Sequence, residues 1–448
     1  MKNLNNHLVN ILKNEHLNIR TYCIILIGEK MIKLTSLRKW LYLIFFYPLY
    51  LDINGVYKAS SSSGNSSEGF VLSWMFVLSG IIILKILYEI FREKKLIILK
   101  ELISILTLVL IFVFVVVMQS LIGYLFFDTL TIFIINGQLL AAMTGIIVSY
   151  YFIIVKKFSF EEIVFSISLL FLFAALSNLI VSIYKLGIQD TFGRNIWPST
   201  FFGGIYHHFI YYPYIVSQVF LFALPLWFKK IKGLAIFIYI FIFIYILVFQ
   251  VRGAIISYSI GLVIFSVYYL KFNFKYLVCF SFTFLIFLLL IPRNILIGRF
   301  FESPIEMLSH RTNFFSTFIT NVVSSPSYLL IGSLSKSYLY DIPRNQFSGI
   351  FSLHNQYINI FDNYGLPIVI ILILILVIYY QLLKNNIRSI KDKITSKLHT
   401  YWTLIVLLSL SIDLNINEQL STANPGIYMF FFWSAILFST IVHQKSLS

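Results

Sequence analysis

Uninterrupted apolar runs of about twenty residues recur along most of the chain, and a run of that length has few ways to fold. As a helix rising 1.5 Å per residue it matches the roughly 30 Å of hydrocarbon in a bilayer, where every backbone polar group must be satisfied within the segment. The runs lie near 35–52, 70–91, 98–118, 132–155, 162–184 and 208–228, then 233–250, 253–270, 276–292, 364–383, 400–415 and 426–443. With 59% hydrophobic and 12% charged residues, a soluble domain of this length has too little polar surface to stay in solution. The expected fold is all-α, a polytopic transmembrane bundle of about twelve spans.

The formal net charge of +16 is carried by short clusters between the apolar runs: Arg38 and Lys39, Arg92 with Lys94 and Lys95, Lys156 and Lys157, Lys229 with Lys230 and Lys232, Lys271 with Lys275, and Lys384 through Lys397. This arrangement encodes membrane topology, and it argues against nucleic acid as a partner. Placing every cluster in the cytoplasm puts both termini inside and leaves 53–69, 119–131, 185–207, 293–363 and 414–425 outside. The expected organisation is a cytoplasmic leader over 1–34, a transmembrane domain over 35–443 with its large external loop at 293–363, and a short cytoplasmic tail over 444–448. No cleaved signal peptide precedes the first run, and the segment from Met31 (MIKLTSLRKW) resembles an ordinary start, so the leader reads as dispensable. The Ser-rich stretch SSSGNSSEG at 60–68 reads as a flexible external loop. Cys23 and Cys279 have no partner at metal-ligand spacing, which supports neither a disulfide framework nor a zinc site.

The loop from Pro292 to Asp362 is the one large non-membrane segment, and long connections of this kind tend to be functional. It carries Arg293, Arg299, Arg311 and Arg344 with His310 and His354, on the side where topology keeps basic residues scarce. Each arginine could be a solvated partner of Glu302, Glu306 or Asp341; together they favour a bound anion, because the guanidinium fork suits phosphate. Arg252 stands in a short external turn, with Gly253 and Ala254 beside it. A charge at that depth normally marks a substrate path, the alternative being snorkelling to the headgroups. Arg194 belongs to the other substantial external loop, where Trp197 could stack on a sugar or form part of an aromatic belt. His354 can take a proton from a sugar hydroxyl, with Asn355 and Tyr357 offering hydrogen bonds, although a lone loop histidine is more often structural. There is no GxxxxGK[ST] loop, no DxD-like external pair, no GxSxG elbow and no HExxH. ATP-driven and zinc-dependent chemistry drop out; a substrate already activated as a polyprenyl pyrophosphate would need neither metal nor cofactor, because pyrophosphate is the leaving group and arginines can offset its charge.

These residues fall in an order that resembles the O-antigen polymerase and ligase superfamily, the Wzy-like membrane proteins, over roughly the second half of the chain. The pattern is Arg252-Gly253 opening a span, Ser309-x-Arg311 in a large external loop, Gly332-Ser333, then His354-Asn355 followed by Tyr357, and Tyr364-Gly365-Leu366 leading into the next helix. The resemblance implies a metal-independent glycosyltransferase of the bacterial inner membrane that joins oligosaccharide repeat units carried on undecaprenyl pyrophosphate, for O-antigen, capsule or exopolysaccharide. It implies that Arg252 and Arg311 grip the donor pyrophosphate with Arg194 assisting, that Arg299 belongs to the same basic set, and that His354 activates the acceptor hydroxyl. A chain-length regulator and a flippase are the partners it suggests. His207 and His208 depart from the more polar stretch expected near Arg194. Two competitors stay open: the ligase of the same superfamily, and a lipid-linked oligosaccharide flippase, which would carry its charges within the spans and have short loops.

Overall fold

The computed structural model describes residues 24–27, 30–33, 46, 50–52, 71–93, 103–127, 130–192, 212–248, 251–271, 318–320, 322–323, 326–332, 355–413 and 423–445. Most of these are helical: α1 Trp74–Glu93, α2 Ile103–Phe127, α3 Leu130–Tyr150, α4 Phe160–Phe192, α5 Tyr212–Lys230, α6 Lys232–Val248 and α7 Arg252–Ile264 in the first part. The short α8 Pro326–Ile331 and α9 Gln356–Tyr364 follow, then α10 Leu366–Ser389, α11 Lys393–Leu408 and α12 Ala423–Lys445. The apolar runs from 98 to 270, and those from 364 onward, thus coincide with helices; the run at 276–292 lies outside the described residues. Ile103–Ile122, Phe160–Ile188, Leu366–Ser389 and Gly426–His443 are long and apolar enough to cross a membrane, and Leu139–Val155, Lys232–Val248 and Gly253–Tyr269 are shorter apolar helices. The chain is a helical membrane protein.

The described residues are predominantly helical, as expected, with two short strand pairs beside the helices. Tyr50–Asp52 pairs antiparallel with Val71–Ser73, so the helical runs expected at 35–52 and 70–91 give way to short strands at those edges. Helix begins directly after the second strand, at Trp74. A second short pair joins Ile24–Ile27 to Lys30–Lys33, within the expected leader. Helices also appear inside the expected external loop. There Tyr328 of α8 donates to the Asp362 carboxylate of α9, and the Phe318, Tyr328 and Phe361 rings pack together.

At the centre is α5, buried from Tyr212 to Trp227, as expected of a helix that is apolar on all sides. Pro225 lacks the amide that would bond the Leu221 carbonyl one turn back. α11 covers this stretch: the Tyr401 hydroxyl donates to Leu221 O, the acceptor Pro225 leaves open, at 2.8 Å, and Trp402 Nε1 donates to Phe222 O at 2.8 Å. Around this centre α3 and α12 approach so closely that a Cβ on Gly145 would stand 2.3 Å from the Ile427 carbonyl oxygen. At the periphery α2 and α10 expose apolar side chains such as Leu110, Phe114, Ile373 and Val377, a surface suited to lipid.

Contacts gather Lys85, Lys156, Lys230 and Lys397 at one end. Lys85 and Lys156 lie over the Tyr151 ring, and Lys230 over Phe165 at the start of α4. Phe228 of α5 meets Phe265 beyond α7, and Lys397 Nζ donates to Tyr269 O. Two helices begin there on acidic caps. The Ser159 hydroxyl accepts from the Glu162 amide at 3.2 Å while Glu162 reaches back to the Ser159 amide, forming a capping box; Asp392 accepts from the Ile394 and Thr395 amides.

Candidate functional site

The opposite end of the bundle holds a buried polar set built from three helices. α11 runs on into a π-helical turn at Ser409–Asp413, a rare geometry that often marks a functional position. It places Ser409 and Asp413 on the side facing α5, where Gln218 Nε2 donates to Ser409 Oγ at 2.7 Å and to Asp413 Oδ2 at 2.8 Å. Ser257 of α7 stands against the same carboxyl group. All four residues are at least 97% buried, while Asp413 Oδ1 has no hydrogen-bond partner among the described residues. A buried carboxyl group with one oxygen uncommitted is costly to keep in an apolar bundle, and such groups line substrate paths.

One of the residues singled out in the sequence, Tyr357, reaches this turn, and another, Arg252, opens the helix that carries Ser257. Arg252 is the first residue of α7, five positions before Ser257 and so about 7 Å along the helix axis. Gly253 and Ala254 beside it are buried. Tyr357, in the first turn of α9, donates its hydroxyl to Leu410 O at 2.9 Å, inside the π-helical turn itself. Burial raises the Tyr357 phenol above its usual range, which keeps it a donor. Asn355 caps α9, its Oδ1 accepting from the Tyr357 and Ile358 amides at 3.0 and 3.1 Å. The Asn-x-Tyr part of the motif therefore also has a local structural explanation. Gly365 has a second one: at φ 80°, ψ 177° it makes the break between α9 and α10, in a region essentially restricted to glycine. Gly332 ends α8 at φ 63°, its amide donating to Tyr328 O. Arg194, Arg293, Arg299, Arg311, Arg344, His310 and His354 lie outside the described residues.

An apolar cleft of ≈ 120 Å³ opens beside the polar set, between α2, α3, α9, α10 and α12. Tyr357 and Leu410 line its end nearest the π-helical turn; Phe112, Met143 and Trp433 form its walls, and Ile105 and Phe438 extend it towards the basic end. Its lining is almost wholly apolar. The arrangement therefore offers an apolar cleft among lipid-facing helices, with Tyr357 and Leu410 of the π-helical turn at one end. A cleft lined in this way suits part of a hydrocarbon chain.

The sequence reading missed Gln218, Ser257, Ser409 and Asp413. The available signal was the presence of an acid and an amide within apolar runs, where polar residues are expensive to bury. Compared with known families, the chain matches no protein-family model, and it matches no curated protein.

Proposed function

We propose that this chain is a bacterial inner-membrane glycosyltransferase of about twelve spans that polymerises undecaprenyl-pyrophosphate-linked oligosaccharide repeat units. The basic end faces the cytoplasm and the buried polar end faces outward, as positive-inside topology requires. The observation that carries the reading is the apolar cleft ending at Tyr357 and the Ser409–Asp413 turn, beside the helix that Arg252 opens. In this reading the polyprenyl chain of the donor occupies the cleft, which brings its pyrophosphate to the start of α7. There the Arg252 guanidinium and the positive end of the helix dipole both favour an anion.

The reaction is a displacement at the anomeric carbon of the donor sugar. An acceptor hydroxyl oxygen forms the new glycosidic bond, the bond from that carbon to the phosphate oxygen breaks, and the pyrophosphate leaves with the electron pair. His354 takes the acceptor proton, while Arg252 and Arg311, with Arg194 and Arg299, offset the charge developing on the leaving group. Asn355 holds the start of α9 directly after His354, and the Tyr357 bond to Leu410 fixes that helix against the π-helical turn. This pair positions the histidine. Neither metal nor cofactor enters the step, because the donor is already activated.

The test is gel analysis of surface and lipid-linked glycan in a deletion strain complemented with the wild-type, Arg252→Ala or His354→Ala gene. Polymer with the wild type, and single repeat units exposed on the cell surface with both variants, is the expected result. Repeat units trapped inside the cell would make the protein a flippase, and long lipid-linked chains would make it a ligase; either outcome overturns the polymerase reading.

A further inference from the structure

Glu161, His399 and His443 come from three different helices and meet at the basic end, on the opposite side of the bundle from the polar set. Their metal-ligating atoms all lie within 4.8 Å of one another. Glu161 is in the first turn of α4, His399 is on α11 and His443 is near the end of α12. We propose that these three side chains form a divalent transition-metal site, best matched to zinc, that ties the three helix ends together.

His399 carries the argument. Its side chain is fully buried, yet neither ring nitrogen has a hydrogen-bond partner among the described residues. An imidazole normally satisfies one nitrogen as donor and the other as acceptor, and leaving both unpaired in an apolar interior is costly. Trp402 and His443 cross it edge-on, with ring centroids 5.1 and 5.4 Å away, and give it packing but no hydrogen bond. A metal would engage one of the two, because the unprotonated ring nitrogen has a lone pair to donate, and the other would remain an N–H donor. Two imidazoles and one carboxylate are a donor set zinc accepts, leaving a fourth position for water.

The dimensions are also suitable. With metal–ligand bonds of about 2.0–2.1 Å, tetrahedral donors stand roughly 3.4 Å apart, so the set must contract by about 1.4 Å. Glu161 and His443 are only partly buried, so the adjustment falls on their side chains around the buried His399. The neighbouring Glu162 is occupied by its capping box with Ser159, which leaves Glu161 as the acidic ligand of that turn. The expected consequence is mechanical: the metal pins the start of α4 to α11 and to the end of α12, independently of any chemistry at the far end.

The experiment uses full-length protein, purified in detergent with its affinity tag removed, dialysed against buffered zinc and then against metal-free buffer. Zinc is counted by mass spectrometry, and thermal unfolding is recorded with and without chelator. Wild type is expected to keep about one zinc per chain and to melt lower when the chelator is added, since a ligand that binds only the folded state stabilises it. Glu161→Gln and His443→Ala each remove a partly buried ligand. They should weaken zinc binding beyond the roughly 10–100-fold that loss of an outer-sphere partner costs, and their melting should no longer respond to chelator. His16→Ala, outside the set, should behave as wild type. Failure of the wild type to retain stoichiometric zinc, or equal retention by both ligand variants, overturns the site.

Discussion

The close approach of α3 and α12 makes Gly145→Ala a sharp test of the packing. On an isolated helix this change is favourable, because alanine is preferred over glycine by about 1 kcal/mol. Here the added Cβ would lie 2.3 Å from the Ile427 carbonyl oxygen and 2.8 Å from the Phe431 amide nitrogen, where ordinary contact begins at 3.4 Å. Both obstacles are backbone atoms, so no rotamer change relieves them, and the helices must part by about 1 Å. A gap of that size forfeits a quarter to a half of each dispersion contact across the interface. Overpacking of this kind costs about 1–3 kcal/mol, which exceeds the propensity gain. Gly137→Ala, on the same helix, adds a Cβ with no atom within 4 Å and keeps the gain. Thermal unfolding in detergent, followed by tryptophan fluorescence, should therefore move the two variants in opposite directions, with Gly145→Ala lower by several degrees. A Gly145→Ala protein as stable as wild type would refute the contact between α3 and α12.

Gly365→Ala forces a side chain into backbone near φ 80°, ψ 177° and should destabilise by about 1–3 kcal/mol, read as a lowered melting midpoint; an unchanged midpoint would mean that α9 and α10 join differently. The Asp392 cap should give a pH signature. Its carboxylate is held below the usual range, first by the Thr395 hydroxyl and then by the Thr395 and Ile394 amides. A depressed folded-state value stabilises above the ordinary carboxylate range and loses that effect as pH falls through the folded value, so the melting gap between wild type and Asp392→Ala should close on acidification. At the proposed site, Arg252→Lys should lose most polymer at unchanged protein level on gel analysis, because an ammonium cannot reproduce two-pronged contact with phosphate.

Helices were legible where one local rule suffices. The run that became α10 is apolar for long enough to be read without knowing its neighbours, and Lys384 through Lys397 mark its basic end from sequence alone. The run ends at Tyr50–Asp52 and Val71–Ser73 look apolar enough for helix, and only their pairing with each other makes them strands. Asn355 reads as a ligand in a linear motif, and its contacts also make it a helix cap, which no spacing in the motif announces. The polar set was illegible for another reason: Gln218 and Asp413 are 195 positions apart and meet only because α5 and α11 pack side by side. Glu161, His399 and His443 share that difficulty, since no spacing rule joins the start of one helix to the ends of two others.

Pro225 has a consequence for the order of assembly. α5 enters the membrane with a carbonyl that its own helix cannot satisfy, and the hydroxyl that completes it belongs to a residue 180 positions later. At roughly 5–20 residues per second, synthesis of that interval lasts on the order of ten seconds or more. Throughout it, α5 carries an open acceptor in a medium that has no water to fill it. Arrival of Tyr401 closes the defect, so the unmet bond distinguishes a finished bundle from a truncated one and gives membrane quality control a physical feature to act on.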